Sequence, residues 1–143
     1  MATTPTILFL CPHNTLRSVI AAALCNQLAV GRARGESAGT DPDERVNERT
    51  ITVLREVGID VADQEPGRVS RQQLEQADRV ISLGCPLAPD LAAAAAGKIH
   101  EWLMPDTTNQ PVEAVRQVRE LIKVRVQQLL REPDGTDGGK GPR

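Results

Sequence analysis

Thr6-Ile7-Leu8-Phe9-Leu10 runs directly into Cys11-Pro12-His13-Asn14-Thr15-Leu16-Arg17-Ser18, where a helical pattern takes over. The five bulky apolar residues show no polar alternation. That is the mark of a strand covered on both faces, as in a parallel sheet. From Ser18 to Val30 the sequence predicts a helix, apolar at Val19, Ile20, Ala23, Leu24 and Ala29. Only Asn26 and Gln27 read as solvated, so the helix should lie largely inside, with Gly31 as its stop.

The same alternation of elements continues outward. Ala33 to Ser37 reads as a weak strand and Ala38 to Pro42 as a loop. Asn47 is placed to cap a helix with Ile51, Leu54 and Val57 on one face and Gly58 at its end. Ser70 and Gln73 form the pattern of a capping box, opening a short helix to Ala77. Asp78 to Leu83 is a third strand, turning at Gly84-Cys85-Pro86. Asp90 is expected to cap an Ala-rich helix closed by Gly97, and Lys98 to Leu103 to form a fourth strand. Pro111 opens the last helix, with Val115, Val118, Ile122, Val126 and Leu129 as its apolar stripe. This order predicts an α/β domain with a parallel sheet over residues 1–131. Right-handed crossovers would set the functional loops at the C-terminal ends of the strands. Residues 132–143, rich in Gly and charge, are expected to be disordered.

Composition narrows the possible functions. At 143 residues the chain suits one domain. Its apolar runs, such as Leu91 to Ala96, are far short of the ~20 residues that cross a bilayer. The start MATTPTILFLCPHN lacks the basic region of a secretory signal, so the expectation is a cytoplasmic protein without membrane attachment. A net charge of −2 without a basic run argues against a nucleic-acid binder. With no Tyr, one Phe and one Trp, little is available to stack on an aromatic substrate. Three cysteines make a poor disulfide framework and suggest free thiols.

The chemistry concentrates between the first strand and first helix. A loop entering a helix N-terminus presents backbone N–H groups, and the helix dipole adds positive potential there. Residues Pro12, His13, Asn14, Thr15, Leu16, Arg17 and Ser18 are thus the candidate oxyanion-binding segment. Arg17 offers a planar fork of donors to two oxygens of a tetrahedral anion. Cys11 at the base is the candidate nucleophile, since donors that hold an oxyanion also favour sulfur as a thiolate. The Ser18 hydroxyl can donate to that sulfur, and Asn14 suits a left-handed turn.

Cys11-Pro12-His13-Asn14, followed by Arg17-Ser18, resembles the catalytic loop of low-molecular-weight protein tyrosine phosphatases and of the arsenate reductases that share their fold. Ser37-Ala38-Gly39-Thr40, Arg45-Val46-Asn47, Val57-Gly58-Ile59-Asp60, Ala77 to Leu83 and Trp102 to Asp106 extend the resemblance from about Thr6 to Leu130. It implies a four-stranded parallel sheet flanked by helices. It implies that Asp106 is the general acid protonating the departing oxygen, and that Cys85 resembles the redox cysteine of the reductases. Three features favour the reductase over phosphomonoester hydrolysis through a phosphocysteine: the missing aromatics, Cys85, and the Pro12-His13-Asn14 variant. No cysteine follows Cys85 in Pro86 to Asp90, so either Cys85 resolves the adduct directly or an external thiol does. The implied partners are arsenate or a similar oxyanion and a reductant, either thioredoxin, a mycoredoxin or glutaredoxin type, or a small thiol such as mycothiol or bacillithiol. No bound cofactor is implied. Leu16 stands where many members carry Cys, and Ala22 where some carry an acidic potassium ligand. A phosphatase side activity and a non-catalytic oxyanion-binding or thiol-sensing module remain the alternatives.

Other candidates read more plainly. Cys25 is expected to be a buried structural thiol. His13 either donates to the anion or points to solvent while its N–H binds. Cys11, His13 and Cys85 lack the fourth ligand and paired spacing of a zinc site. His100 reads as packed or surface. The last helix carries five Lys/Arg against two Glu, a solvated face or a surface for an acidic redox partner.

Overall fold

The computed structural model describes residues 4–107 and 109–131, and the expected tail from residue 132 lies outside them. Strands β1 (Thr6–Leu10), β2 (Arg34–Ala38), β3 (Arg79–Ser82) and β4 (Ile99–Glu101) form one sheet in the order β2-β1-β3-β4. Every pairing is parallel, with Leu10 opposite Ala38 on one side and Ser82 on the other. Helices α1 (Arg17–Ala29), α2 (Glu48–Arg55), α3 (Arg71–Gln76), α4 (Pro89–Ala94) and α5 (Val112–Arg131) complete the expected order of elements.

β1 is central because it is apolar on both faces. Ile7 and Phe9 join a core with α1, α2 and α5, while Leu8 and Leu10 join a second core with Leu74, Val80, Cys85 and Ala95. Successive strand residues point to opposite faces, so one strand feeds both cores. Phe9 and Trp102 pack at 5.8 Å between ring centroids, and Arg125 covers the Trp102 ring at 5.2 Å. Both aromatic residues are therefore spent on the core. The α5 stripe is buried at all five expected positions. Glu56, just past α2, accepts from Arg116 and Arg119 of α5, which holds its carboxyl down at about 2. Two cations of the basic last helix are thereby engaged in tying α2 to α5.

Several boundaries differ from the sequence expectation. α1 ends at Ala29, because Val30 turns left-handed (φ 47°) one residue before Gly31 (φ 85°). β2 runs one residue later than expected, as its pairing with β1 sets its ends. Asp90 does not cap α4. Pro89 takes the first helical turn after Ala88, leaving Asp90 inside that turn, where its charge still suits the dipole. β4 is only three residues long: the chain leaves the ladder after Trp102 donates to the Ser82 carbonyl, and Leu103 is fully turned out. Asn47 and the Ser70–Gln73 box cap their helices as expected. Among the described residues no helix is long and apolar enough to cross a membrane.

Candidate active site

The segment from Cys11 to Leu16 leaves β1 at the C-terminal edge of the sheet and enters α1 through Leu16, which has no side-chain cap. A helix start leaves its first N–H groups without intrahelical partners. Among the described residues, no protein carbonyl or carboxylate takes up the backbone N–H groups of His13, Asn14, Thr15 or Leu16. The segment is instead held by its carbonyls. Pro12 accepts from Asp41 N–H, His13 from Asp43 N–H, and Thr15 from Asn47 N–H and the Thr50 hydroxyl. Holding a loop by its acceptors leaves its donors available to an anion.

Asn14 is the centre of this arrangement. It is buried with φ 54°, a conformation that Asn tolerates better than most residues. Its Oδ1 accepts from Gly67 N–H at 2.9 Å and its Nδ2 donates to Ser18 Oγ at 2.8 Å. Ser18 Oγ also lies 2.9 Å from Cys11 Sγ, and toward a thiolate at that position its hydroxyl is the donor. Ser18 N–H, in the first turn of α1, also points at that sulfur at 3.3 Å. Both contacts converge on the one sulfur just past β1.

Arg17 lies almost buried, its side chain 11% exposed, with Nη2 at 4.0 Å from Asp106 Oδ2. Gly84 explains the space Arg17 occupies: with φ +79°, a Cβ there would stand 2.8 Å from Arg17 Nη1. Asp106 sits on the loop after β4, facing Arg17, with its carboxylate largely exposed. It is not a helix cap, since α5 begins only at Val112. His13 is placed outside the cradle. Its Nδ1 bonds the Asp41 carbonyl at 2.9 Å and its ring is exposed.

Cys85 follows β3 as Cys11 follows β1, so both cysteines stand at the same end of adjacent parallel strands. All three cysteines are free thiols. Cys85 is buried among Leu8, Leu10, Ala38 and Val80, and burial pushes its thiol up despite a 3.5 Å contact with Thr40 Oγ1. Cys25 packs from α1 against Gly35 of β2, and burial pushes its thiol to about 11, as befits an inert structural cysteine. His100 lies half-buried on β4. Among the described residues no three His, Cys, Asp or Glu side chains gather to hold a metal ion.

Sequence reasoning missed what shapes the site from a distance: Gly39, Gly67 and Gly84 against the loop, and Thr40 against Cys85. A Cβ on Gly39 would stand 2.5 Å from the Pro12 carbonyl and 2.8 Å from that of Cys11. Both are backbone atoms and cannot swing aside. Gly39→Ala is therefore expected to cost about 1–3 kcal/mol by overpacking and to displace the loop. A denaturant melt with an activity assay checks this; an unchanged melt and rate would show that the loop yields freely.

The comparisons agree with this geometry. Residues 6–134 match the family described as low molecular weight phosphotyrosine protein phosphatase. A putative arsenate reductase of Halobacterium salinarum is 31% identical, covering 87% of this chain and 89% of the relative. A glutaredoxin arsenate reductase of Synechocystis sp. is 30% identical, covering 87% and 95%. A solved arsenate reductase in its phosphate-binding state superposes with a TM-score of 0.79 at 29% identity, covering 89% of this chain and 97% of that one. A Cys-x5-Arg loop joining a parallel strand to a helix, on a chain matched along nearly its whole length, leaves one conclusion: the chain belongs to the low molecular weight phosphotyrosine protein phosphatase family.

Proposed function

We propose that this protein is an arsenate reductase in which Cys11 attacks arsenate bound by residues 12–18. The observation that carries it is the register of β1 and β3, which sets a second thiol, Cys85, at the sheet end occupied by Cys11. Relatives named arsenate reductase at about this chain's own length support it. So does the commitment of Phe9 and Trp102 to the core, which leaves no aromatic wall for a phosphotyrosine ring.

The steps follow from the side chains. Backbone N–H groups of the loop and the Arg17 fork hold the oxyanion. The Cys11 thiolate forms a bond to arsenic(V), and an arsenic–oxygen bond breaks as Asp106 supplies a proton and water leaves. The Cys85 thiolate then attacks Cys11 Sγ. The new sulfur–sulfur bond forms as the sulfur–arsenic bond breaks. The electron pair stays on arsenic, which leaves as arsenite(III), while the two cysteines become a disulfide. An external thiol reductant restores both thiols.

Two experiments test this. In a panel of arsenate with thioredoxin, arsenate with small thiols, and a chromogenic phosphate ester, arsenite is expected with one of the thiol systems. Ester turnover without arsenite would make the protein a phosphatase, and no turnover at all a binding or sensing module. Cys85→Ser should stall at the Cys11 adduct; normal turnover of this variant with a small thiol would move the resolving sulfur outside the chain.

Asp106→Asn should slow the first step by roughly 10²–10⁴-fold, the range for loss of a general acid. Its pH–rate profile should lose the limb that the carboxyl provides. An unchanged profile would remove Asp106 from the mechanism.

A further inference from the structure

We propose that Thr40 is a positioning residue for Cys85, its hydroxyl donating to Cys85 Sγ and favouring the thiolate that attacks Cys11. This rests on the reductase reading of Cys85, and deepens it by naming the group that prepares the resolving thiol.

Cys85 has an awkward task. An attacking sulfur must be an anion, yet this one is buried among apolar side chains, which disfavours charge. On its α3 and α4 sides the neighbours are Leu74, Ala77, Ala95, Leu87, Leu91 and Ala94, none of which carries charge. The groups that bear on it electrostatically lie across the sheet end. Arg17 favours its anion and Cys11 opposes it. The Glu101 carboxylate is engaged next door, accepting from Gly84 N–H at 3.3 Å. Thr40 Oγ1 stands 3.5 Å from the sulfur. Once Cys85 has lost its proton, the hydroxyl is the one donor in that contact, so the hydrogen bond strengthens as the thiolate forms.

Thr40 is fixed for this task rather than passing by chance. The Gly39 N–H donates to Gly67 O and Val69 N–H to Gly39 O, clamping the strand just before Thr40. Arg68 Nη1 donates to the Thr40 carbonyl at 2.7 Å. On the other side, Ser82 Oγ accepts from Cys85 N–H and donates to Cys85 O, both at 3.2 Å, so the sulfur is held as well. The half-buried hydroxyl and the buried sulfur thus meet between two separately anchored backbones.

The test uses the full chain carrying Cys11→Ser and Cys25→Ser, which leaves Cys85 as the sole thiol. Thiolate formation is followed by ultraviolet absorbance against pH for Thr40, Thr40→Val and Thr40→Ser. A hydrogen bond to a charged group corresponds to about one pH unit. Thr40→Val should raise the midpoint by about that much, and Thr40→Ser should restore it. In the three-cysteine enzyme, Thr40→Val should cut the thiolate at neutral pH about tenfold. The higher basicity of the remaining thiolate offsets part of this, leaving disulfide formation about threefold slower in a single turnover with arsenate. That deficit should vanish at a pH above the shifted midpoint, which a purely structural loss would not do. Equal midpoints in the Thr and Val proteins, or a rate deficit that pH does not relieve, would overturn the proposal. If the native enzyme forms no Cys11–Cys85 link, the reading of Cys85 fails, while the titration still decides whether Thr40 supports its thiolate.

Discussion

Replacing Cys11 by serine should reduce arsenate turnover by about 10⁴-fold or more, the scale seen when an activated nucleophile is removed. The fold should survive, because the change exchanges one buried atom for a slightly smaller one. The size of the loss follows from the local wiring. Ser18 Oγ, which accepts from Asn14, and Ser18 N–H both reach the sulfur. A serine hydroxyl in place of the thiol stays protonated at neutral pH and makes a weak nucleophile without an adjacent base. Arsenite release measured alongside a thermal melt checks it. Substantial activity in the variant would mean that the reaction does not run through position 11.

Arg17→Lys should cost about 10²–10³-fold in the first chemical step, although the charge is conserved. A guanidinium presents parallel donors to two oxygens, while an ammonium is a compact point charge. The site is shaped for the planar group: Arg17 is largely buried beneath Gly84, whose missing Cβ leaves room for Nη1. Burial raises the penalty, since the shorter lysine reach leaves either the anion under-bound or the ammonium under-solvated. Competition between arsenate and phosphate separates the effects. Both anions should weaken together in Arg17→Lys, and a variant that binds phosphate normally would place the anion elsewhere.

How much of this was legible in the sequence depended on distance along the chain. β1, the loop and α1 are contiguous, so apolar run, Cys-x5-Arg and helix start could be read together. The capping residues Asn47 and Ser70 act within three positions and read correctly. Thr40 and Cys85 are 45 positions apart, and Asn14 and Gly67 are 53 apart, so neither contact leaves a local signature. Gly39 has no positive φ to mark it as special; its need for glycine comes from two carbonyls of another loop. Val30 in the left-handed region is the opposite case, since a β-branched residue argues against that conformation. The contact of the His13 ring with the Asp41 carbonyl, 28 positions along the chain, likewise leaves no local signature.

The most direct measurement is a quenched single turnover of fully reduced enzyme with arsenate and no external thiol, followed by peptide mass mapping and quantification of arsenite. One arsenite per enzyme and a Cys11–Cys85 disulfide, with Cys25 unmodified, is the predicted result. Arsenate recovered intact with all three thiols still free would contradict the assignment of this loop to arsenate reduction.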